Sequence, residues 1–424
     1  IAMGYQAGQT RQGVLSIPAG YRDTTFGNNE NGIVITDLGG NEKGYSVVID
    51  SSDRIVVAGH TDVNGSNDFA VVRYLSTGDR DTSFGNNGIV TTNFFGHAYG
   101  RSVVIDSLDR IVVAGYTNTI SGSDDFAVVR YYSNGALDTN FGTDISGIVI
   151  TDLGNTNSDI AYSVVIDSSD RIVVAGYAYA YGTYYFAVVR YLSTGDRDPS
   201  FGTNGIVLTN FGVAEVGVSV VIDSLDRIVV AGASASNANG NFDFAVVRYY
   251  SNGALDTNFG TDISGIVITN LGDTDIVNSV VIDSSDRIVV AGPIAPIYVN
   301  GGDIYFAVVR YLSTGALDTS FGTNGIVITD LGGNDTGYSV VIDSSDRIVV
   351  AGYTDVNGSW DFAVIRYNSN GALDTSFGNN GKVITDLSGN SNDEAYSVVI
   401  DSLDRFVVAG KTDANGSDTD FAVV

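Results

Sequence analysis

The chain has 424 residues, 44% of them hydrophobic, and a formal net charge of −28 at pH 7. This acidity argues against a nucleic-acid partner, which needs clustered Lys and Arg, and against attraction to anionic membranes. The chain has no cysteine, which excludes disulfides, thiol catalysis and cysteine metal sites, and no apolar run reaches the roughly 18 residues of a membrane-spanning helix.

Residues 1–13, Ile-Ala-Met-Gly-Tyr-Gln-Ala-Gly-Gln-Thr-Arg-Gln-Gly, do not share the pattern of the rest of the chain. They are similar to the head repeats of trimeric surface adhesins and viral fibre proteins; an unstructured leader is the alternative. Because the chain opens without an initiator Met or a signal peptide, we expect a processed or trimmed piece of a longer protein. We predict a leader or the remnant of a preceding segment over residues 1–20, and a single domain over residues 21–424.

One segment recurs along the chain with a period of roughly 58 residues, which is typical of propellers and related arrays. Each copy is followed by a variable stretch and then by Phe-Ala-Val-Val or Phe-Ala-Val-Ile. The copies are Tyr45–Gly59, Arg101–Gly115, Tyr162–Gly176, Val218–Gly232, Asn278–Gly292, Tyr338–Gly352 and Tyr396–Gly410.

The first repeat contains four short β-branched runs separated by turn residues, with no helical period. They are Ser46–Asp50, Arg54–Gly59, Phe69–Leu75 and Ile89–Thr92, which we call strands A, B, C and D. Such a sheet has two apolar faces, which suits stacking between neighbouring sheets. The sequence therefore predicts an all-β fold, a seven-bladed β-propeller of four-stranded antiparallel blades.

The two ends of the repeat array are incomplete in a complementary way. The strand D signal of Ile33–Leu38 precedes any strand A, and the last repeat ends at Phe421–Val424 without a strand D. We predict that the N-terminal strand completes the last blade, a three-plus-one closure that removes two exposed edges. An open β-solenoid is the alternative.

An arginine in the middle of strand C recurs with an aspartate eight positions later. A buried arginine needs a charged partner, so we predict structural ion pairs. Asp23 has no such arginine if the register holds, because it would follow Val424; we therefore expect the chain to continue. The predicted pairs are Arg73–Asp81, Arg130–Asp138, Arg190–Asp198, Arg248–Asp256, Arg310–Asp318 and Arg366–Asp374.

Three motifs of the repeat resemble the delta-60 repeat of bacterial proteins. They are Asp-Arg-Ile-Val-Val-Ala-Gly, Asp-Phe-Ala-Val-Val-Arg-Tyr, and Asn-Gly-Ala-Leu-Asp-Thr-Ser-Phe-Gly, the last found at Asn370–Gly378. The resemblance covers about residues 20–424. It implies a propeller-like repeat of large, often surface-exposed proteins, and it brings no catalytic residues with it.

Few residues are suited to catalysis. The two histidines, His60 and His97, lie in different repeats and have no Ser or carboxylate at a fixed spacing. Asp50 and Asp53 recur in every repeat, which favours a role in turns over a unique catalytic pair. We predict that the chain is not an enzyme; a glycoside hydrolase with paired carboxylates in the acidic loops is the less favoured alternative.

We predict no cofactor, with calcium as the only candidate. Three B–C loops are rich in side-chain oxygens, although their spacing is shorter than that of a standard calcium loop. Hairpins closed by Asx turns are the alternative. The candidate ligands are Asp62, Asn64, Asp68, Asp355, Asn357, Asp361, Asp413 and Asn415.

The B–C and D–A loops vary most, and both emerge on the same face of an up-and-down propeller. We predict that this face binds a protein or glycan partner, around Tyr177, Tyr179, Tyr181, Tyr184, Tyr298 and Trp360; drift of a free surface is the alternative. The predicted function is a non-catalytic binding or structural module of a larger extracellular, cell-surface or virion-surface protein or assembly. A glycan-binding lectin is the alternative.

Overall fold

The computed structural model describes residues 20–424 apart from residues 28, 30, 64, 119–121, 143–145, 155–156, 236–240, 262–263, 273, 296–302 and 417. These residues form β-strands and connections, and they contain no helix of the length and apolarity needed to cross a membrane. The predicted residues Asn64 and Tyr298, and the predicted leader up to residue 19, lie outside the described residues.

The strands form seven antiparallel sheets, which we number as blades 1 to 7. Their bounds are β2 Glu42–Ile49, β3 Ile55–Thr61, β4 Asp68–Tyr74 and β5 Ile89–Thr92 in blade 1; β6 Ala98–Ile105, β7 Ile111–Thr117, β8 Asp125–Tyr131 and β9 Ile148–Thr151 in blade 2; β10 Asp159–Ile166, β11 Ile172–Ala180, β12 Thr183–Tyr191 and β13 Ile206–Thr209 in blade 3; β14 Glu215–Ile222, β15 Ile228–Ser234, β16 Asp243–Tyr249 and β17 Ile266–Thr269 in blade 4; β18 Thr274–Asp275, β19 Ser279–Ile282, β20 Ile288–Ala295, β21 Tyr305–Tyr311 and β22 Ile326–Thr329 in blade 5; β23 Asp335–Ile342, β24 Ile348–Thr354, β25 Asp361–Tyr367 and β26 Lys382–Thr385 in blade 6; and β27 Asp393–Ile400, β28 Phe406–Thr412, β29 Asp420–Val423 and β1 Val34–Thr36 in blade 7.

The ring closes through the N-terminal strand, as the sequence predicted. β1 pairs antiparallel with β29, with Val34 opposite Val423 and Thr36 opposite Phe421. The hydroxyl of Tyr74, in blade 1, donates a hydrogen bond of 2.8 Å to Thr36 Oγ1, so the closing strand also joins blade 7 to blade 1. The seven-bladed propeller with three-plus-one closure is therefore confirmed.

A β-bulge shapes the innermost strand of the blades. In blade 1 the register shifts between Gly44 and Ser46, and Tyr45 is left out of the pairing. Gly59 lies across from this bulge, where an added Cβ would approach the Lys43 carbonyl oxygen to 1.7 Å. The Ala-Gly pair of each repeat is therefore needed for close backbone approach, and the strand A residue beside it is forced out of the sheet.

The A strands of successive blades contact each other around the central channel, from β2 through to β27 and back to β2. The serine that follows each bulge position accepts a hydrogen bond from a valine N–H of the next blade. Ser46 Oγ accepts from Val103 N at 3.2 Å, and Ser397 Oγ closes the ring by accepting from Val47 N at 3.2 Å. The blades are thus held together at the centre of the ring by polar contacts.

The apolar core is divided among the seven junctions between blades. At the closing junction, Val47 and Ala70 of blade 1 pack with Ala409 and Val423 of blade 7. Each blade contributes to two clusters because both of its faces are apolar. This explains why the repeats show no strict alternation of apolar and polar residues.

The structure places each mid-strand arginine against the aspartate eight residues later. Arg73 Nη2 lies 2.8 Å from Asp81 Oδ2, and the guanidinium lies over the Phe84 ring with Cζ 4.5 Å from its centroid. Arg73 Nη1 also donates to the Ser133 carbonyl of the next blade. The other five pairs are Arg130–Asp138, Arg190–Asp198, Arg248–Asp256, Arg310–Asp318 and Arg366–Asp374.

Asp23 departs from the prediction, because it does have a partner within the chain. Arg405, in the A–B turn of blade 7, places Nη1 3.1 Å from Asp23 Oδ2. The equivalent turn arginine of blade 2, Arg110, lies 3.5 Å from Asp138 in the same way. The spacing between the strand C arginine and its aspartate does not predict this second arginine, which comes from the A–B turn.

The invariant A–B turns contain further contacts between blades. Asp53 adopts the left-handed conformation, with φ of 57°, and Asp50 Oδ1 accepts hydrogen bonds from Ser52 N and Arg54 N. Ser51 Oγ donates at 2.6 Å to Asp109 Oδ2, the equivalent of Asp53 in the next blade. These turns are therefore conserved among the repeats because they also join neighbouring blades.

Deleting residues 1–38 should leave the edge of β29 unpaired, and an unpaired strand edge promotes association between chains. We expect this variant to form aggregates in size-exclusion chromatography with light scattering. Deletion of residues 1–19 alone keeps β1 and serves as the control, which should stay monodisperse. A monodisperse variant lacking β1 would contradict the closure.

Replacing Asp318 by Asn should destabilise the fold by about 3–5 kcal/mol, because it leaves the buried guanidinium of Arg310 without its counter-charge. Urea unfolding measures this difference in the free energy of unfolding. Asp303→Asn, which changes an exposed acid of the same blade, is the matched control and should change stability little. Equal effects of the two substitutions would show that the ion pair contributes nothing particular.

Candidate functional site

Three positions of strands A and B vary from blade to blade although their neighbours are nearly invariant. Two of them face each other across the strand pair, as Lys43 and His60 do, and the third is the adjacent bulge position. All lie toward the end of the ring that carries the B–C and D–A connections, which we call the loop face. The bulge position is occupied by Tyr45, Arg101, Tyr162, Val218, Asn278, Tyr338 and Tyr396, the first facing position by Lys43, Tyr99, Ile160, Val216, Ile276, Thr336 and Glu394, and the second by His60, Tyr116, Tyr177, Ala233, Pro293, Tyr353 and Lys411.

These side chains form a continuous series of rings at the mouth of the channel, on blades 6, 7, 1, 2 and 3. We call it the aromatic arc: Trp360, Tyr353, Tyr338, Tyr396, Tyr45, Arg101, Tyr162, Tyr177 and Tyr184. Ring centroids on its first half are 5.2, 5.7, 5.0 and 5.2 Å apart in that order. On its second half the Arg101 guanidinium lies 4.1 Å from Tyr45 and 5.5 Å from Tyr162, and the remaining rings are 5.9 and 5.3 Å apart.

The arc is open on one side of the channel. Blades 4 and 5 have smaller side chains at the same positions, with Val218 and Ala233 in blade 4 and Asn278 and Pro293 in blade 5. The aromatic surface therefore covers only the part of the channel mouth that lies on blades 6, 7, 1, 2 and 3.

Arg101, at the middle of the arc, is a half-buried cation without an anionic partner among the described residues. Its Nη2 donates a hydrogen bond of 3.1 Å to the Tyr116 hydroxyl, and its buried Nε has no hydrogen-bond partner there. Every other buried or half-buried arginine in the described part of the chain forms an ion pair with an aspartate. The guanidinium therefore has donors available for a ligand.

Two of the three lysines of the chain lie at the variable positions of strands A and B, Lys43 opposite His60 in blade 1 and Lys411 opposite Glu394 in blade 7. Lys411 Nζ is 2.6 Å from Glu394 Oε1, and the Tyr396 hydroxyl donates to the same carboxylate. Burial lowers the pKa of Lys43, and the nearby charges of Lys411 and Arg101 lower it further, while Glu394 opposes them. Lys43 thus lies near two other cations, Lys411 and Arg101, and near the Glu394 carboxylate, so positive charge is concentrated here on a strongly acidic protein.

The neighbouring hydrogen-bonding groups are uncharged at neutral pH. Burial lowers the pKa of His60 to about 3, and the charges of Arg101 and Lys43 act in the same direction against a weaker opposing effect of Asp62. The imidazole stacks against Tyr45 with centroids 5.5 Å apart, and its Nδ1 has no partner among the described residues. Burial also raises the pKa of Tyr45 to about 12. The charge of the site therefore comes from Arg101 and the lysines.

The predicted aromatic residues lie at the two ends of the arc. The stretch that was predicted as the B–C loop of blade 3 is an extended hairpin, in which β11 and β12 meet at a tight turn of Tyr181 and Gly182 with positive φ. Tyr181 is 91% exposed and lies outside the arc, while the ring of Tyr179 contacts Tyr184 edge-on at 5.0 Å. Trp360, 38% exposed, is the other end.

Variation in the loops alone does not identify the centre of the arc, because the central residues lie within strand A. Tyr45, Arg101 and Tyr162 are the first residues of the repeated segment, and their variation is visible in the sequence. The bulge that turns them toward the channel is not visible there. The signal that identifies the site is variation at single positions within otherwise constant strands.

The side-chain oxygens of the predicted calcium loops take part in hydrogen bonds. Asp62, Asp355 and Asp413 each accept two hydrogen bonds from an asparagine, with Asp355 receiving them from Asn334 N at 2.6 Å and Nδ2 at 2.8 Å. Asn357 and Asn415 donate to the aspartate at the start of the next strand, Asp361 and Asp420 respectively. Asp68 receives the Asn93 amide at 3.3 Å. These hydrogen bonds occupy lone pairs of the candidate ligands, and calcium binding by these loops stays a prediction.

Six segments match a protein family described as "Domain of unknown function (DUF5122) beta-propeller". They are residues 51–84, 109–141, 168–201, 226–259, 284–321 and 344–377, and together they cover just under half of the chain. The repeats are therefore those of a β-propeller repeat family. A comparison of the sequence with curated proteins gives no match.

Solved structures with a similar fold have low sequence identity to this chain. A protein of unknown function from Dyadobacter fermentans DSM 18053 is 12% identical, with a TM-score of 0.42 over 96% of each chain. A virginiamycin B lyase from Staphylococcus aureus is 10% identical, with a TM-score of 0.45 over 92% of this chain and 98% of its own. An ulvan lyase of polysaccharide lyase family PL25 is 11% identical, with a TM-score of 0.47 over 92% of this chain and 95% of its own. At these identities the likeness concerns the fold alone.

These structures correct the prediction that the chain is not an enzyme. Lyases are found among proteins of similar propeller fold, so a propeller without thiols and with few histidines gives no reason to exclude catalysis. The prediction was wrong because the lack of thiols, the scarcity of histidines and the presence of carboxylates in turns do not exclude catalysis on a propeller.

His60→Tyr should reduce the loss of stability on acidification. The folded-state pKa of His60 lies below its unfolded value of about 6.5, so the unfolded chain gains a proton that the folded chain does not as pH falls below 6.5. Between pH 7 and pH 5, the free energy of unfolding of the unaltered protein should therefore fall by about 1–2 kcal/mol more than that of the variant. Tyr occupies this position in three other blades, so it should fit.

Urea unfolding of both proteins at pH 5, 7 and 8 measures the effect. The difference between the two free energies of unfolding should be constant between pH 7 and 8 and should change only below 6.5. A difference that is the same at all three values would contradict the neutral state of His60.

Proposed function

We propose that this chain is a binding module that holds an anionic carbohydrate at the channel mouth on the loop face, with Arg101 in contact with the acidic group. The observation that supports it most directly is the guanidinium of Arg101, surrounded by tyrosine rings and without an anionic partner among the described residues. The proposal makes specific the glycan-binding alternative that the sequence suggested.

The charge distribution favours an anion. A half-buried guanidinium attracts a planar carboxylate or a sulfate strongly, because it can donate two parallel hydrogen bonds. Tyr116 takes only one of the donors of Arg101, and Lys43 and Lys411 add positive potential beside it. The acidic remainder of the surface repels anions elsewhere and so directs them to this site.

The shape of the aromatic arc favours a sugar chain over a small ion. Its rings continue from the channel mouth to Trp360 on blade 6 and Tyr184 on blade 3, which are 38% and 39% exposed. Tyr and Trp present a flat apolar face together with a polar group, and this combination suits a ring with C–H groups on one face and hydroxyls at its edge. A ligand of several sugar units can contact Arg101 and one end of the arc together.

We also propose that the chain functions on an extracellular or other exposed surface as part of a larger protein, with repeats of the delta-60 type. The resemblance of Asn370–Gly378 to that repeat and the net charge of −28 support this proposal. A carbohydrate-binding face agrees with such a location.

The test is binding of oligogalacturonate by isothermal titration calorimetry, compared with its methyl-esterified form, which lacks the charge. Arg101→Tyr should weaken binding of the acidic form by about 10–100-fold, because one charged hydrogen-bonding partner is lost. Tyr occupies this position in four other blades, so the variant should fold. Arg80→Gln is the matched control, because it removes the charge of an exposed arginine in the connection between strands C and D of blade 1.

The proposal requires that the esterified ligand binds more weakly than the acidic one and that Arg80→Gln leaves affinity unchanged. Equal loss in both variants would show that only the overall charge matters. Absence of binding to uronate and sulfated oligosaccharides by the unaltered chain would overturn the proposal.

A further inference from the structure

One position at the junctions between blades alternates between Asn and Asp. It directly follows strand D and lies between the first residue of strand C in the same blade and the first residue of strand A in the next. Where it is Asn, the side-chain amide donates to a neighbouring carboxylate. These contacts are Asn93 to Asp68 at 3.3 Å, Asn210 to Glu215 at 3.3 Å and Asn270 to Asp243 at 2.6 Å.

The same position is Asp at the four other junctions, and at three of these, three carboxylates of the described residues meet. In each group, one carboxylate oxygen per residue lies within 4.8 Å of the others. We call these groups the acidic triads. They are Asp37, Glu42 and Asp420 between blades 7 and 1; Asp125, Asp152 and Asp159 between blades 2 and 3; and Asp361, Asp386 and Asp393 between blades 6 and 7.

Two triads contain a buried carboxylate oxygen that the described residues leave unsatisfied. Asp159 and Asp361 are both 0% exposed. Asp159 Oδ2 accepts from Leu153 N at 2.9 Å, and Asp361 Oδ2 accepts from Asn357 Nδ2 at 2.8 Å. Oδ1 of each is buried and makes no hydrogen bond of normal geometry with the described residues, although the Tyr179 N–H also acts on the Asp159 carboxylate. An unsatisfied carboxylate oxygen beside two further carboxylates is strongly unfavourable, so a positive species is favoured in these two triads, and the triad of Asp37, Glu42 and Asp420 shares their composition.

Burial disfavours the charged form of several acids in the triads. Burial raises the pKa of Asp159 to about 7, and Asp125 and Asp152 raise it further against the opposing hydrogen bonds from the backbone. Burial likewise raises the pKa of Glu42, Asp361, Asp393 and Asp420. Either a proton or a metal cation can neutralise the negative charge of a triad. With a proton, acidification stabilises the fold; with a metal cation, addition of the metal stabilises it.

We propose that the acidic triads are calcium sites that link neighbouring blades. The ligands are all carboxylate oxygens, which hard cations prefer, and no His or Cys takes part as it would for zinc. Calcium–oxygen distances are about 2.3–2.6 Å, so one calcium ion can contact carboxylate oxygens that lie within 4.8 Å of one another. Magnesium is less suited, because it needs shorter distances and stricter octahedral geometry.

The position of the triads gives such ions a structural role. Asp37 directly follows the closing strand β1, and Asp420 begins its partner β29, so an ion there would tie both to Glu42 of blade 1. The site between blades 6 and 7 lies on the other side of the same blade. Calcium would thereby stabilise the blade that is assembled from both ends of the chain.

The experiment is calcium titration of the EDTA-treated chain by isothermal titration calorimetry, with unfolding temperature measured in parallel. We expect three sites per chain and a rise in unfolding temperature with CaCl₂ that neither MgCl₂ nor NaCl of equal ionic strength reproduces. Asp386→Asn should remove one site, and the combination of Asp37→Asn, Asp152→Asn and Asp386→Asn should remove all three. Asn already occupies this position at other junctions, so these variants should fold, and circular dichroism verifies it.

The outcomes separate calcium from a proton. Loss of one site in the single variant and of all sites in the triple variant supports the proposal. No binding at calcium concentrations on the order of 1 mM, the affinity range of extracellular calcium modules, would overturn it. So would equal stoichiometry in the unaltered chain and the triple variant, or stabilisation that appears only on acidification and not with calcium.

Discussion

The buried arginine of strand C is the interaction on which the ring depends. Arg310 Nε bonds Asp318 of its own blade at 2.8 Å, its Nη1 bonds the Ser369 carbonyl of the next blade at 2.5 Å, and its guanidinium lies over Phe321. One side chain thus fixes a turn within one blade and the position of the following blade. Because a guanidinium is planar and its donors point in fixed directions, repetition of this contact imposes the same rotation at each step.

This constraint explains where the chain is free to vary. The strands, the A–B turns and the C–D connections all contain contacts between blades, so a change in one repeat would disturb its neighbour. The residues at the bulge positions also touch neighbouring blades, as Tyr45 and Tyr396 do, but they take no part in the repeated arginine, turn and serine contacts, and they differ between repeats. Arg101, Lys43 and Lys411 are charged residues that break the repeat there, and the Asn–Asp alternation after strand D is the second place where repeats differ in charge.

Most of the fold could be predicted from the sequence because each repeat carries its own strand and turn signals, and the arginine–aspartate spacing is short. The aromatic arc could not be predicted from the sequence, because it joins residues from five blades that are far apart along the chain. The bulge at Tyr45 was hidden in a stretch that reads as loop, since Glu42–Gly44 is polar and glycine-containing. The stretch Tyr177–Tyr185 reads equally well as a loop or as two strands. The acidic triads also escaped prediction, since their members come from two blades and three separate strands or connections.

The closing strand has a consequence for strand exchange between copies of the protein. Its residues Ile33-Val-Ile-Thr36 are identical to Ile148–Thr151 and Ile266–Thr269, so nothing in its side chains distinguishes it from an internal strand D. What selects the closed ring is the tether, which holds β1 near β29 at an effective concentration of about millimolar for a flexible connection. A second copy competes for the same edge only when its own concentration approaches that value, and exchange of the strand then links rings into open chains. Strand identity therefore does not prevent exchange between copies, and the local concentration within one chain is what favours the closed ring.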